Sequence, residues 1–205
     1  MENIKIISSW HELKLVKPLY IKYCLWGTRE IPETCIYMGY NLQRGFFIRM
    51  ECWEKNPLRH FYMPQDPVYL DSAMELFLEF PEESLTDSEK VGHLNFEVNA
   101  NGALLATYGR NRTRRVFIKD SEYRYANPMA IKERYRWIVQ LIVPNILLER
   151  LYPGILLNEG SVFKFNFYKI SESKGFEHYG AYSPIDTETP NLHMPKYFEK
   201  AILVR

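Results

Sequence analysis

The chain has 205 residues, of which 46% are hydrophobic and 15% aromatic. This composition is sufficient for one well-formed core and argues against two very small domains, so we expect a single domain over residues 1–205. The 26 Lys and Arg residues nearly balance the 25 Asp and Glu residues, which gives a formal charge of +1. We therefore expect neither nucleic acid nor an anionic membrane as a partner.

The N-terminal stretch MENIKIISSWHELK (1–14) has no long apolar core after its charged residues. It does not have the pattern of a secretory signal, and no run in the chain approaches the length of a membrane span. These features predict a cytoplasmic protein if the chain is full length.

Most of the chain has a hydrophobic period of two residues, which is typical of β-strands. CIYMGYN (35–41) and GFFIRMECWE (45–54) flank a short turn and predict a hairpin. AMELFLEF (73–80) alternates in the same way. HLNFEVN (93–99) and ALLATYG (103–109) are joined through Asn-Gly, the strongest short hairpin signal. Further strands are predicted for RRVFIK (114–119), RYRWIVQLIV (134–143) and SVFKFNFYKI (161–170).

One stretch, NILLERL (145–151), has a helical pattern, with Asn145 as a candidate cap and Pro153-Gly154 as a stop signal. The segment after Lys174 is rich in loop-forming residues. Many strands with regular turn signals and one short helix predict an all-β fold. The expected architecture is an antiparallel β-sandwich with two sheets, of the jelly-roll or immunoglobulin-like type.

Three polar residues interrupt apolar strands: Glu75 in the strand 73–80, and Glu97 and Asn99 in the strand 93–99. Glu97 and Asn99 share a face because side chains two apart on a strand point the same way. Carboxylates and amides form hydrogen bonds with polar ligands, and Tyr and Trp rings offer flat apolar contact surfaces, so such a face suits a binding site. An ordinary solvated outer face would carry the same residues. Glycosidases also use carboxylate pairs, but the sequence fixes neither their separation nor a raised pKa.

Five stretches together resemble a known family. They are VYLDSAMELFLEF, LNFEVNANG, WIVQLIVPNILL, VFKFNFYKI and AYSPIDTETPNLHMPKYFEKAILV. In this order, across about residues 20–203, they resemble the family 9 carbohydrate-binding modules, specifically their stand-alone bacterial relatives. The resemblance implies an antiparallel sandwich that binds sugar at one face and has no catalytic machinery of its own.

The resemblance also implies particular site residues. Tyr69 falls at the position of an aromatic sugar platform, and Glu75 at that of a carboxylate that accepts sugar hydroxyls. Glu97 and Asn99 match polar positions on the neighbouring strand. The second platform is expected near Leu192, which is aliphatic here.

Two arginines and one histidine complete the candidate residues. Arg110 and Arg112, just past the second hairpin strand, are further candidates for the sugar site. His193 matches a family position at which we expect hydrogen bonds that anchor the final loop. Known members bind structural calcium, but the sequence has no clear cluster of oxygen ligands, so calcium stays an open expectation.

The sequence therefore predicts non-catalytic carbohydrate binding in a shallow, solvent-open site, without a cofactor. The alternative is a degenerate sandwich that acts as a structural or protein-interaction domain, and a small enzyme ranks third. An exposed Glu75 would contribute to binding but little to folding. Cys24, Cys35 and Cys52 lack metal or disulfide-framework spacing, and we expect them to be buried, reduced thiols.

Overall fold

A computed structural model describes residues 1–81, 92–119, 121 and 124–205. Within these ranges the chain forms fourteen β-strands and a short helix, α1 (Asn145–Leu151). The strands are β1 (Glu2–Ile6), β2 (Leu19–Ile21), β3 (Tyr23–Cys24), β4 (Thr34–Asn41), β5 (Gly45–Cys52), β6 (Ala73–Glu79), β7 (His93–Asn99), β8 (Leu104–Gly109), β9 (Arg115–Phe117), β10 (Met129–Lys132), β11 (Trp137–Pro144), β12 (Val162–Ser171), β13 (His178–Ala181) and β14 (Glu199–Val204).

Hydrogen bonds connect all of these strands into one sheet. Its main path runs β10-β11-β5-β4-β1-β14-β12-β6-β7-β8-β9, with β2, β3 and β13 attached beside it. Strands from distant parts of this path, including β11 and β8, contribute to one apolar core, so the sheet curls around its own interior.

The all-β prediction is correct, but the predicted arrangement of two purely antiparallel sheets is not. The sheet is a single mixed one, because β1 pairs in parallel with both β14 and β4. A hairpin turn imposes antiparallel pairing, and no hairpin connects β1 to either neighbour. The remaining pairings are antiparallel, and they include the predicted hairpins β4–β5 and β7–β8.

Both faces of the central strands are buried. On β12, Phe163, Phe165 and Phe167 are fully buried in the interior core. The alternate residues Tyr168 and Ile170 lie in a second apolar cluster on the outer face, which is completed by Ile185, Leu192 and Phe198 from the C-terminal segment. The segment before β14 therefore covers part of the outer face, and the candidate site lies beside it.

The eight predicted strands correspond to β4 to β9, β11 and β12, with ends that differ by a few residues. Short strands without an alternating pattern were not predicted, and β13 and β14 lie in the segment interpreted as loop. The helix is where it was predicted, but its N-cap residue is Pro144. Asn145, the predicted cap, is the first residue of the helix itself. The Asn145 side chain accepts from the Tyr40 hydroxyl and donates to the Leu42 carbonyl.

The three cysteines are free thiols. Cys35 and Cys52 are buried as expected, whereas Cys24 is exposed on the short strand β3, so the burial prediction is wrong for Cys24. None of the described helices is long and apolar enough to cross a membrane.

Candidate functional site

Two buried carboxyl groups face each other across neighbouring strands. The antiparallel register of β6 and β7 places Glu75 directly opposite Glu97. Directly opposite residues have Cβ atoms about 4.5–5.5 Å apart, so the two side chains project side by side from the same face of the sheet. The sequence-based expectation that these residues share one site is consistent with this pairing.

The pair opens into a cleft of about 400 Å³ on the outer face of the sheet. Side chains from β6, β7, β9, β12 and β13, together with residues of the C-terminal segment, form its walls. The lining residues are Tyr69, Glu75, Glu97, Arg112, Thr113, Arg115, Ile170, Glu172, Tyr179, Pro190, Asn191, Leu192 and His193.

Glu75 and Glu97 are more deeply buried than the sequence suggested. Their exposed fractions are 2% and 4%, so they form the floor of the cleft and not a solvated rim. Burial, and then the charge of Glu97, raises the pKa of Glu75 well above its ordinary value. Burial raises the pKa of Glu97 to about 7, against the opposing charge of Arg115. The two carboxyl groups are therefore protonated to a larger extent than an exposed pair would be at the same pH.

Two arginines provide positive charge at the cleft wall. Arg112, predicted from the sequence, donates to the Pro190 carbonyl over 3.1 Å, and its guanidinium lies 3.9 Å from the Glu172 carboxylate. Arg115, which was not predicted, lies on β9 and also lines the cleft. Its role depends on strand pairing that brings β9 beside β8, which a local sequence pattern does not reveal.

Two tyrosines provide aromatic surface. Tyr69 lines the cleft as predicted and is half-buried. Tyr179 also lines it, and the edge of this ring packs against Trp26 at a centroid distance of 5.2 Å. Sequence reasoning missed Tyr179 because β13 was interpreted as loop, although the Tyr-Gly-Ala-Tyr stretch is a usable signal. Leu192, expected at the second platform position, lines the same cleft but is mostly buried in the outer apolar cluster.

Asn99 and Arg110 are not among the residues that line the cleft. Asn99 is fully buried, and its amide donates to Asp71 Oδ2 and to the Phe61 carbonyl, both over 2.8 Å. Its oxygen accepts from the backbone N–H groups of Asn101 and Ala103. This side chain therefore holds the β7–β8 turn together, while Arg110 lies exposed in the following bend.

A chain of hydrogen bonds ties the C-terminal segment to the sheet beside the cleft. His193 Nδ1 lies 2.8 Å from His93 Nε2, and His193 Nε2 lies 2.8 Å from Arg115 Nη1. The expectation that His193 anchors the final loop by hydrogen bonds is confirmed. Three buried polar atoms on the same face of β7 have no hydrogen-bond partner among the described residues: His93 Nδ1, Asn95 Nδ2 and Glu97 Oε2.

Within the described ranges, no group of three or more His, Cys, Asp and Glu side chains is arranged to hold a metal ion. The acidic residues at the cleft are Glu75 and Glu97, whose raised pKa values favour the protonated form, and Glu172, which lies beside Arg112. Two neutralised carboxyl groups beside two arginines are a poor environment for a divalent cation. The described side chains therefore give no support for calcium, and the expectation remains untested.

A curled β-sheet with an aromatic and polar cleft on its outer face is typical of ligand-binding β-domains. The family described as carbohydrate-binding family 9 matches residues 31–203, which is most of the chain. The protein therefore belongs to carbohydrate-binding family 9, and the resemblance noted in the sequence is confirmed. No curated protein sequence matches the chain.

Solved structures share the fold at low sequence identity. A protein from Bacteroides uniformis, to which carbohydrate binding has been ascribed, has a TM-score of 0.82 at 17% identity, with 99% of each chain covered. A family 9 carbohydrate-binding module from Caldicellulosiruptor kristjanssonii in complex with cellotriose has a TM-score of 0.61 at 11% identity, covering 98% of this chain and 92% of the module. The glucose complex of such a module from the same organism has a TM-score of 0.60 at 10% identity, covering 99% and 96%.

Proposed function

We propose that this protein binds a carbohydrate, without catalysis, in the cleft between Tyr69, Tyr179 and the Glu75–Glu97 pair. The observation that carries the proposal is the pair itself, which lies at the floor of an open cleft with Glu97 Oε2 lacking any partner in the described chain. A buried acceptor without a partner is costly, and a sugar hydroxyl would satisfy it. Family membership and the sugar-bound modules of the same fold support the same ligand class.

The cleft offers both kinds of contact that a sugar ring needs. Tyr69 and Tyr179 present aromatic surface to C–H groups, while the carboxyl pair and Arg112 offer acceptors and donors to hydroxyl groups. A volume of about 400 Å³ lies within the range of small-molecule sites, about 300–1,000 Å³.

The placement of the carboxyl groups favours binding over hydrolysis. Glu75 and Glu97 project from adjacent strands on the same face, so both approach a ligand from one side. Glycoside hydrolysis needs two carboxyl groups that flank the scissile bond, one of which acts on the opposite side of the sugar ring.

The test is a glycan array, with glucose and cellotriose included, followed by calorimetry on the sugars that bind. Tyr69→Ala and Tyr179→Ala should each weaken binding by about tenfold or more, since each removes a stacking face. Tyr135→Ala removes an exposed tyrosine that does not line the cleft and serves as the control. A blank array would favour the interaction-domain alternative, and equal effects of all three substitutions would place the sugar elsewhere.

A further inference from the structure

The hydrogen-bond chain between Arg115, His193 and His93 has a defined direction. An arginine guanidinium only donates, so His193 Nε2 must accept from Arg115 Nη1 across 2.8 Å. The proton of His193 then lies on Nδ1, which donates to His93 Nε2. His93 in turn carries its proton on Nδ1, the buried atom that has no partner in the described chain. One arginine therefore fixes the tautomer of both imidazoles.

Both rings are held in a rigid environment. His93 is 1% exposed and His193 is 9% exposed, and both pack against Phe77, with ring centroids 5.6 and 4.9 Å from it. Burial lowers the pKa of His193 to about 2 and that of His93 to about 4, with the Arg115 charge adding to both effects. Both imidazoles are thus neutral around pH 7, as the chain of donors requires.

The contact to His193 is the shortest that the Arg115 guanidinium makes, since its Nε donates to the Arg112 carbonyl over 3.1 Å. Its remaining contacts from Nη1, to Thr107 Oγ1 and Asn95 Oδ1, are long, at 3.3 and 3.5 Å. It lies on β9, a three-residue strand at one end of the main path of the sheet. The short contact to His193 is therefore the main constraint on where this guanidinium end lies in the cleft.

We infer that His193, supported by His93, is a positioning residue that holds the Arg115 guanidinium in the cleft wall as a donor to the bound sugar. The inference rests on the proposed function, since it assigns Arg115 a contact in that same cleft. It also gives the orphan donor on His93 a physical explanation. The protein tolerates one unpaired buried N–H because the tautomer that creates it is the one that directs His193 Nε2 towards Arg115.

The first test is spectroscopic and uses the ligand-free protein. Nitrogen NMR correlation spectra of the histidine side chains should show both His93 and His193 protonated at Nδ1 around neutral pH. A His193 protonated at Nε2 would be unable to accept from Arg115 and would overturn the inference whether or not the protein binds sugar.

The second test is a binding cycle with glucose, cellotriose and any sugar found on the array. His193→Phe keeps a ring against Phe77 but removes the acceptor, and it should weaken binding by about tenfold to a hundredfold. His193→Gln retains an acceptor and a donor at similar reach and should recover part of the affinity. In an Arg115→Gln background, His193→Phe should have no further effect, because its role acts through Arg115.

The outcomes separate the inference from the proposed function. Wild-type protein that binds no carbohydrate refutes the proposed function. The positioning role alone is refuted in two cases, both with wild-type protein that binds sugar. In the first, His193→Phe binds sugar as tightly as the wild type. In the second, the effects of His193→Phe and Arg115→Gln on affinity are additive. If His193→Phe does not fold, the comparison of His193→Gln in the wild-type and Arg115→Gln backgrounds still decides the question.

Discussion

Glu97 illustrates how a candidate site residue can oppose the stability of its own fold. A carboxyl group that titrates near pH 7 in the folded protein and near 4.5 when unfolded is ionised only in the unfolded chain between these values. The unfolded state then binds fewer protons than the folded state, so the free energy of unfolding falls as the pH rises from about 4.5 to about 7. Above about pH 7 the loss of stability caused by the raised pKa of Glu97 no longer changes with pH.

We predict that Glu97→Gln removes this loss of stability. At pH 7.5 the variant should be more stable than the wild type by up to about 3 kcal/mol, whereas at pH 4.5 the difference should nearly disappear. Chemical denaturation of both proteins at the two pH values measures this. Buried His93 and His193 and half-buried His178 have lowered pKa values, and they change the free energy of unfolding with pH in the opposite direction. Only the difference between the two proteins is therefore informative.

Glu30→Gln, at an exposed position, is the control and should shift stability little at either pH. A Glu97→Gln variant with the same pH dependence as the wild type would show that the carboxyl group is already ionised in the folded protein.

Asn99 is the opposite case. Its position in the sequence predicts a binding role, but its buried hydrogen bonds indicate a structural one. We predict that Asn99→Ala lowers stability by about 2–3 kcal/mol, since it leaves N–H groups of the β7–β8 turn without their acceptor and removes one of the donors to buried Asp71. Sugar affinity of the folded variant should be unchanged, because Asn99 does not line the cleft. Thermal melting and calorimetry on the same sample separate the two effects, and a specific loss of affinity would return Asn99 to the site.

The sequence predicts the strands that have a strongly alternating pattern. It misses the short strands whose conformation depends on pairing with neighbouring strands. β6, β7 and β12 have clear patterns, so their polar interruptions at Glu75 and Glu97 could be found. Strands such as β13 are short and take their conformation from neighbouring strands, so Tyr179 was missed. The contact between Arg115 and His193 joins residues 78 positions apart, and no local pattern contains that information.

Strand β12 also carries a lysine that its pattern does not explain. Lys169 points inwards with the three phenylalanines and is completely buried. Its ammonium group donates to Ser72 Oγ over 2.6 Å and to His178 Nε2 over 2.7 Å, and it lies 3.6 Å from Glu54 Oε2. Glu54 also accepts from the Trp137 indole, so this network connects residues on or next to five strands, β5, β6, β11, β12 and β13.

We predict that Lys169→Met destabilises the protein by about 3 kcal/mol, because mostly buried Glu54 keeps its charge without a cation. Lys169→Met combined with Glu54→Gln should recover part of this loss. Lys164→Met is the matched control on the same strand. Its ion pair with Glu79 is only partly buried and should contribute less than about 1 kcal/mol. Urea denaturation of the four proteins measures the comparison, and equal losses for both lysines would contradict it.

For the whole molecule, the decisive feature is that the two ends of the chain meet in the middle of the sheet. β1 lies between β4 and β14, and β14 also pairs with β12. We predict that removal of residues 199–205 abolishes folding. Without β14, β1 and β12 each lose a pairing partner in the middle of the sheet, and their backbone N–H and C=O groups there are left unpaired. Loss of the cooperative thermal transition measures this. Removal of Arg205 alone, which lies beyond β14 and pairs with exposed Glu159, should leave the transition intact.

The pairing of β1 with β14 also determines when the domain can form in the cell. β1 is the first of the described strands to leave the ribosome, but its neighbour β14 is the last of them to be translated. The curled sheet therefore cannot close until β14 has been translated, and before that its apolar strands are accessible to chaperones or to wrong partners. Pairings this distant in sequence also form slowly, so the search of β1 for β14 limits the rate at which the complete sheet forms.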